Sequence, residues 1–439
     1  MRNHIQDSDW FYTFLKVFVD WSVRSSYLKY QVTGMENVPT DGSVIWASNH
    51  TNALMDPMVL LSTSRGRKVF VARADIFKKK WAIKALTFLR VMPIYRIRDG
   101  INAVKHNDEA IAQATGVILD GVPFVIYPEA THRPKHSLLK LSKGIFHIAE
   151  SAIAKSPQGK PVYIQPIGIE YSDYFRFRTK VLIRFGKPLN ITEFVKEHSE
   201  DPEPVMLLKM RDALSASLAD QIVYIPDDED YDAIWEYAKL KADNPAYFKR
   251  TLAEIEKTED KKLKGLLRIQ AVDRKAVADA LALKESEPEK ARELFKKVDA
   301  QRVWRLQNGI SVYSIADEPG VLRLLFKTLV AILGVPYYFF SGIVGSIKWI
   351  PILLILRGVK DDAFYNTARY GVRLGLAIPA VIVWALLFFL LFNWKIATVL
   401  FLLSLPSLKY LYDYGNFFRR FISDIRWKIR KKRAPERDL

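Results

Sequence analysis

The sequence predicts a mixed α/β domain followed by a charged helical region and an apolar, helical membrane region. Three observations lead to this prediction. Short apolar segments alternate with helix-like segments over residues 28–225, charged residues dominate residues 226–320, and long uncharged segments concentrate in residues 321–439. A chain of 439 residues is long enough to form several domains, each with its own core.

The composition restricts the possible chemistry and partners. The formal net charge is +18, which predicts an anionic partner such as nucleic acid, an acidic membrane or a phosphorylated substrate. The chain contains no cysteine, which excludes disulfides, thiolate catalysis and Fe–S clusters. We expect no nucleic-acid partner, because the basic residues are spread along the chain and no recognition module is visible.

Residues 1–27 form the first predicted segment. Within it, Ser8–Tyr27 has apolar residues at helical spacing, and most of them are aromatic. The pattern is typical of an amphipathic helix in a membrane interface. A helix that packs on the next domain explains the same spacing, so both interpretations stay open.

Residues 28–225 carry the predicted α/β domain. Helix-like segments, such as Asn102–Leu119 and Leu141–Ala154, lie between apolar strand-like segments. The alternation predicts a parallel or mixed sheet flanked by helices, with active groups at strand ends. The predicted strands are Val44–Ala47, Lys68–Ala72, Val91–Tyr95, Val122–Tyr127, Val162–Ile169 and Lys180–Phe185.

Residues 226–320 begin with an acidic turn and continue as charged helical sequence. We see no group of catalytic residues there and predict a solvated helical insert or adaptor. Residues 321–439 contain two uncharged segments, Thr328–Ile347 and Leu374–Phe392. Each is long enough to cross a hydrocarbon core of about 30 Å, although a buried core helix is the alternative.

The charges around the apolar segments predict the membrane topology. Basic residues lie in Arg357–Arg373 and in the tail from Lys409, and such residues favour the cytoplasmic side. We therefore expect an integral membrane protein whose α/β domain faces the cytoplasm, in the bacterial inner membrane or, in a eukaryote, the endoplasmic reticulum. Small and polar residues in Thr328–Leu356 predict a shallow re-entrant hairpin that enters and leaves on one side; they are Gly342, Gly345, Lys348 and Pro351.

His50 and Asp56 form the first group of candidate catalytic residues. His50 follows the apolar strand, and Asp56 comes six residues later. An imidazole can accept a proton from an attacking hydroxyl, while a carboxylate fixes its tautomer. The hydroxyl can belong to a substrate, because no nearby residue is required as nucleophile. A hydrogen-bonded turn is the alternative explanation of the pair.

Two further polar groups follow predicted strands. Arg96 ends the strand at Val91–Tyr95 and can bind phosphate through its planar guanidinium, although a surface salt bridge with Asp99 is the alternative. The segment Tyr127–Arg133 places charged and hydroxyl side chains in one turn; they are Glu129, Thr131 and Arg133. We expect no metal at the site, since Pro134 separates His132 from His136 and prevents a helical pair of ligands.

Taken together, these groups resemble the motifs of the glycerolipid acyltransferase family, which includes lysophosphatidate and glycerol-3-phosphate acyltransferases. The four matches are His50 with Asp56, Arg96, YPEATHR at Tyr127–Arg133, and YIQPIGI at Tyr163–Ile169. They occur in the family's order within residues 28–190. The later segment KDDAFYNTARYGVRLGL looks like the membrane part of a glycerol-3-phosphate acyltransferase subgroup of bacteria and fungi.

The resemblance implies the acyltransferase-like α/β fold and direct acyl transfer without a cofactor. His50, oriented by Asp56, would deprotonate a glycerol hydroxyl that attacks the thioester of acyl-CoA or acyl carrier protein. Arg96, with Glu129, Thr131 and Arg133, would hold the acceptor phosphate. The implied acceptor is glycerol-3-phosphate, and the alternative is 1-acyl-glycerol-3-phosphate (lysophosphatidate). Anionic membrane lipid is a further implied partner.

Two departures from the family motifs concern the local backbone. The His-to-Asp spacing is one residue longer than the usual His-x4-Asp, and a one-residue bulge would restore the direction of Asp56. Ala130 replaces the usual glycine, which is strained if its φ is positive. We also expect residues 321–439 to hold the enzyme on the membrane without carrying chemistry, because their apolar segments contain almost no ionisable residues. A membrane adaptor without activity is a further alternative, which the intact His50 and Asp56 disfavour.

Overall fold

The computed structural model describes residues 4–94, 101–157 and 159–435, with side chains of helix 101–119 described from residue 107 onward. The chain divides into two units. The N-terminal unit contains Met1–Ile222 together with the short segment Asp361–Thr367. The C-terminal unit contains Val223–Lys360 and Ala368–Leu439. A segment of seven residues from the predicted membrane region therefore folds with the α/β domain.

Across the described residues, eight strands form one mixed sheet in the N-terminal unit. The strands are β1 (Lys29–Thr33), β2 (Ser43–Ser48), β3 (Val69–Arg73), β4 (Val91–Ile94), β5 (Phe124–Ile126), β6 (Val162–Tyr171), β7 (Lys180–Phe185) and β8 (Leu189–Asn190). Their order is β1-β7-β6-β2-β5-β3-β4, and β8 pairs with β6. The predicted fold class, a mixed sheet flanked by helices, is confirmed.

The centre of the sheet positions the functional residues. Strands β6, β2, β5, β3 and β4 run parallel to one another, so their carboxyl ends meet at one edge. Every residue of β2 is buried, which explains why its sequence, SVIWAS, is apolar or small throughout. Strand β1 was not predicted from the sequence, because it is an edge strand with polar residues and little buried surface.

Helices cover the sheet and supply the core of the N-terminal unit. They are α1 (Trp10–Ser25), α2 (Met55–Leu61), α3 (Lys80–Phe88), α4 (Ile101–Leu119), α5 (Gly144–Lys155), α6 (Ile191–Glu197) and α7 (Glu203–Ala219). Buried apolar residues of α4, α5 and α7 pack with those of the central strands in one cluster. This core holds the strand ends, and hence the polar residues that follow them, in fixed positions.

Helix α1 has two different faces. Tyr12, Lys16 and Val23 are buried, and the Lys16 ammonium donates to the Ser64 carbonyl at 2.9 Å. The opposite face exposes large apolar side chains at helical spacing; these are Trp10, Phe14, Val17 and Trp21. One face therefore packs on the domain, while the aromatic face is exposed, and its predicted place in a membrane interface stays a prediction.

The C-terminal unit consists of helices. The helices from Val223 onward are α8 (Tyr231–Ala242), α9 (Pro245–Thr258), α10 (Leu266–Ser286), α11 (Pro288–Gln307), α12 (Val312–Asp317), α13 (Val321–Leu356), α14 (Tyr365–Gly375), α15 (Ala377–Leu391), α16 (Trp394–Ser404) and α17 (Ser407–Arg430). Helix α14 begins inside the segment that belongs to the N-terminal unit. Helices α8–α11 share an apolar core, in agreement with the helical region predicted for residues 226–320.

The predicted re-entrant hairpin is wrong in its local structure. Val321–Leu356 is one continuous α-helix, although Pro336 and Pro351 lie inside it. Tyrosine hydroxyls of α17 donate to carbonyls of α13, as Tyr410 does to Gly334 at 3.1 Å. These hydrogen bonds hold α13 against α17, and packing on a neighbouring helix allows an apolar helix to continue through glycine and proline.

By length and composition, α13 qualifies as a membrane-crossing helix among the described residues. Two bent helix pairs, Asp362–Gly375 with Ala377–Leu391 and Trp394–Ser404 with Ser407–Arg433, raise the number to three if each pair is one span. The uncharged segment Leu374–Phe392 corresponds to the end of α14 and to α15, and α16 follows after a turn at Phe392 and Asn393.

Candidate active site

His50 and Asp56 meet at the carboxyl edge of the sheet. His50 lies just beyond β2, and Asp56 lies in the first turn of α2. His50 Nδ1 is 2.7 Å from Asp56 Oδ2. Ala53 has a positive φ of 39°, so the loop between the two residues folds back on itself. This left-handed residue accommodates the longer spacing, in the way expected of a one-residue bulge.

The Asp56 carboxylate is fully buried and held by several donors. Its Oδ2 accepts hydrogen bonds from the backbone amides of Thr51 (2.7 Å) and Asn52 (2.8 Å), and its Oδ1 accepts one from the Tyr171 hydroxyl (2.7 Å). A carboxylate so surrounded can only accept from the imidazole, which places the proton on His50 Nδ1. His50 Nε2 is then the basic nitrogen, and the side chain is 17% exposed.

Two tyrosine rings border the pair. Tyr127 stacks on His50 with ring centroids 4.3 Å apart, and Tyr171 donates to Asp56. Burial and the nearby Asp56 charge raise the pKa of both phenols well above the ordinary value. Both phenols therefore stay neutral, and the stacked ring fixes the plane of the imidazole.

Glu129 joins the loops that carry the site. Its Oε1 accepts from the His50 amide and its Oε2 from the Leu139 amide, each at 2.8 Å. Burial raises the pKa of Glu129, while these two amides oppose the shift. The sequence predicted that Glu129 binds substrate. Its contacts show that Glu129 holds two loops in position, and its contact with substrate stays a prediction.

The remaining residues of this turn surround His50. The Arg133 amide donates to the His50 carbonyl at 3.0 Å, and the Arg133 guanidinium donates to Ser137 Oγ at 2.8 Å. Thr131 is exposed. Ala130 has a φ of 58°, so the replacement of the usual glycine places an alanine in the left-handed region. The turn thus holds the backbone of His50 from both sides.

Arg96 lies outside the described residues, so its predicted role remains a prediction. His132 and His136 have separate partners, namely Asp361 at 2.9 Å and Glu170 at 3.7 Å. A group that could hold a metal ion lies elsewhere, on the side chains of His147, Glu150 and Glu203. It shares no residue with the His50 site.

Comparison with known proteins gives the family. The model of the acyltransferase family matches residues 29–170. This part of the chain belongs to the acyltransferase family. A lyso-ornithine lipid O-acyltransferase of Rhizobium meliloti (strain 1021) is 30% identical over 114 residues, which are 26% of this chain and 37% of that relative. The chain thus matches little more than a third of the length of that relative.

A solved structure is also similar to this chain. It is the 1-acyl-sn-glycerophosphate (LPA) acyltransferase PlsC from Thermotoga maritima, with a TM-score of 0.33 and 21% sequence identity. The similarity covers 48% of this chain and 80% of that one.

Several residues at the site lie outside the matched acyltransferase region, and the sequence did not predict them as site residues. Tyr171 ends β6, whose pairing with β2 places it beside Asp56, so a strand-pairing argument could have found it. Asp361 and Phe364 contact His132 from a segment more than two hundred residues later. They place two residues of the 321–439 region beside the site, and the expectation that this region carries no chemistry stays a prediction. No local feature of the sequence could have indicated this contact.

Proposed function

We propose that this protein is a membrane-bound O-acyltransferase of phospholipid biosynthesis that transfers a fatty acyl group from a thioester to glycerol-3-phosphate. The product would be lysophosphatidate. The His50–Asp56 pair carries the proposal, since its geometry fits a general base that acts on a substrate hydroxyl. Membership of residues 29–170 in the acyltransferase family supports the reaction class.

The proposed reaction is one direct transfer. His50 Nε2 accepts the proton of an acceptor hydroxyl while that oxygen attacks the thioester carbonyl. The tetrahedral intermediate collapses, the C–S bond breaks, and the imidazolium returns the proton to the departing thiolate. The products are an ester and a free thiol. The Asp56 carboxylate stabilises the imidazolium.

The acceptor phosphate would bind to basic and hydroxyl groups near His50. We propose that Arg96 forms a bidentate contact with the phosphate and that Thr131 and Arg133 complete its binding site. Glu129 acts indirectly by holding His50 and the Leu139 segment. No cofactor is needed, because acyl-CoA or acyl carrier protein supplies the activated acyl group.

A second acceptor is supported by a specific observation. The Rhizobium meliloti relative is named as an acyltransferase for a lysolipid, which favours an acceptor that already carries an acyl chain. In this chain that acceptor would be 1-acyl-glycerol-3-phosphate, and the product would be phosphatidate. The His-x5-Asp spacing and the long apolar region favour glycerol-3-phosphate through the subgroup resemblance.

The apolar helices and exposed aromatic residues support a location at a membrane. We propose that the N-terminal unit lies on the cytoplasmic face, where thioester donors and phosphorylated acceptors are available. The basic residues around α14 and in the tail would contact anionic lipid.

One assay tests the function and compares the acceptors. Membranes that contain the full-length protein receive labelled acyl-CoA and, separately, glycerol-3-phosphate, dihydroxyacetone phosphate or 1-acyl-glycerol-3-phosphate. We expect the highest kcat/KM for glycerol-3-phosphate and a loss of kcat of about a hundredfold or more in His50→Ala, with little change in acceptor KM. A higher kcat/KM for 1-acyl-glycerol-3-phosphate would show that the second acceptor, and not glycerol-3-phosphate, is the substrate. Near-normal turnover in His50→Ala would overturn the mechanism.

A further inference from the structure

The segment Asp361–Asn366 contacts two parts of the candidate active site. We propose that it is a positioning element for acyl transfer, in which Asp361 and Phe364 hold His132 beside His50 and Asn366 fixes the loop at Tyr174. The proposal rests on the function proposed above. It assigns a role in catalysis to a segment far beyond the matched acyltransferase region.

His132 is held between this segment and the catalytic base. Asp361 Oδ2 is 2.9 Å from His132 Nε2, and the Phe364 ring meets the His132 ring edge-on with centroids 5.4 Å apart. On its other side, His132 approaches His50 at 5.5 Å between ring centroids. The pair of His132 with Asp361 thus stands next to the pair of His50 with Asp56.

The Asp361 carboxylate is itself fixed in place. Its Oδ1 accepts from the Ala363 amide at 3.0 Å and begins a short 3₁₀ turn at Asp362–Phe364. This amide and the His132 partner lower the pKa of Asp361, so it carries its charge at neutral pH. A fixed anion next to Nε2 sets the orientation of the His132 ring.

Asn366 provides the second contact. Its buried amide donates to the Tyr174 carbonyl at 2.8 Å, and the Asn52 amide donates to the same carbonyl at 2.9 Å. Asn52 belongs to the loop whose backbone binds Asp56. The segment therefore joins the loop at Tyr174 to the loop that holds Asp56.

These contacts fit a role in positioning better than a role in stability. Asp361 is 54% exposed, and an exposed ion pair contributes only about 0–1 kcal/mol to folding. His132 lies between Thr131 and Arg133, the residues proposed to bind the acceptor phosphate. A misplacement of about 1 Å in such a group can cost up to a hundredfold in rate, although the fold is unchanged.

The first test compares variants of the full-length protein. Asp361→Ala should lower kcat/KM for the phosphorylated acceptor about tenfold, mainly through KM, while KM for acyl-CoA and the melting temperature stay unchanged. Asp361→Glu should restore part of the loss, because it keeps the charge. Asp362→Asn is the matched control, since it removes the neighbouring exposed carboxylate, and it should behave as wild type. Equal losses in Asp361→Ala and Asp362→Asn, or no loss in Asp361→Ala, would overturn the proposal.

The second test does not depend on activity. The chain has no cysteine, so His132→Cys with Phe364→Cys provides a unique pair for a short bismaleimide cross-linker. We expect intramolecular cross-linking in membranes, and the pair His132→Cys with Glu200→Cys should not react. Failure to cross-link would overturn the placement of the segment. An inactive wild type, or an active His50→Ala, would instead refute the proposed function and leave the cross-linking result intact.

Discussion

At the residue scale, two buried tyrosines beside Asp56 differ in the hydrogen bonding of their hydroxyl groups. The Tyr171 hydroxyl donates to Asp56 Oδ1, whereas the Tyr127 hydroxyl has no hydrogen-bond partner among the described residues. A hydrogen bond to a buried charge contributes about 1.5–3 kcal/mol, while an unpaired buried hydroxyl contributes nothing favourable. The two phenols therefore form a natural pair of test and control.

We expect Tyr171→Phe to lower the free energy of unfolding by about 1.5–3 kcal/mol, because Asp56 Oδ1 loses its donor. The variant should also lower kcat, since the carboxylate that orients His50 is less well fixed. Tyr127→Phe should stay within about 1 kcal/mol of wild type. Thermal unfolding in detergent and steady-state assays measure both effects. Equal destabilisation by the two substitutions would contradict this role of Tyr171.

Ala130 stores strain in the turn that surrounds His50. Its φ of 58° lies in the left-handed region, where an L-residue other than glycine loses about 1–2 kcal/mol. Ala130→Gly should therefore raise the stability by about 1 kcal/mol. The exposed helical residue Ala154 is the matched control, and Ala154→Gly should lower stability by about 0.5–1 kcal/mol. If Ala130→Gly and Ala154→Gly shift the melting temperature in the same direction, the backbone at Ala130 is not strained.

At the scale of elements, helices α1 and α3 form one exposed aromatic surface. Phe11 of α1 contacts Phe88 of α3 at 5.8 Å between ring centroids, and Trp10 and Trp81 are 80% and 70% exposed. Lys78, which precedes α3, is also exposed. Aromatic side chains next to lysines are the composition of a helix pair that lies in an anionic membrane interface.

This surface predicts a specific change in fluorescence. A polarity-sensitive dye on Phe14→Cys or Trp81→Cys should shift to the blue when the protein is placed in anionic vesicles rather than detergent without charge. The same dye on Glu200→Cys, an exposed position outside both helices, should not shift. If the dye emission shifts equally at the three sites, α1 and α3 do not lie in the membrane interface.

At the scale of the whole molecule, helix α13 lies in the chain between two segments of the N-terminal unit. Asp361–Thr367 folds with that unit, and no helix described between residues 223 and 320 qualifies as a membrane span. By length and composition, α13 is able to cross a membrane once. The topology predicted from the sequence instead has residues 328–356 enter and leave the membrane on one side.

Labelling of single cysteines tests this topology. Glu318→Cys and Lys360→Cys flank α13, and Glu200→Cys reports the N-terminal unit. In sealed vesicles, a membrane-impermeant maleimide should label all three sites to the same extent. Opposite accessibility of residues 318 and 360 would show a single crossing, and it would separate Asp361 from His132.

The fold class and the His50–Asp56 pair of the candidate site could be predicted from the sequence alone. Apolar alternation sufficed for the central strands, because buried parallel strands need apolar residues along their whole length. His50 and Asp56 are separated by one short loop, so their pairing followed from local spacing. The continuous form of α13, the backbone contacts of Glu129 and the contact of Asp361 with His132 could not be predicted and are seen in the structure. Each of these depends on contacts between residues far apart in the chain, for which local spacing and composition contain no information.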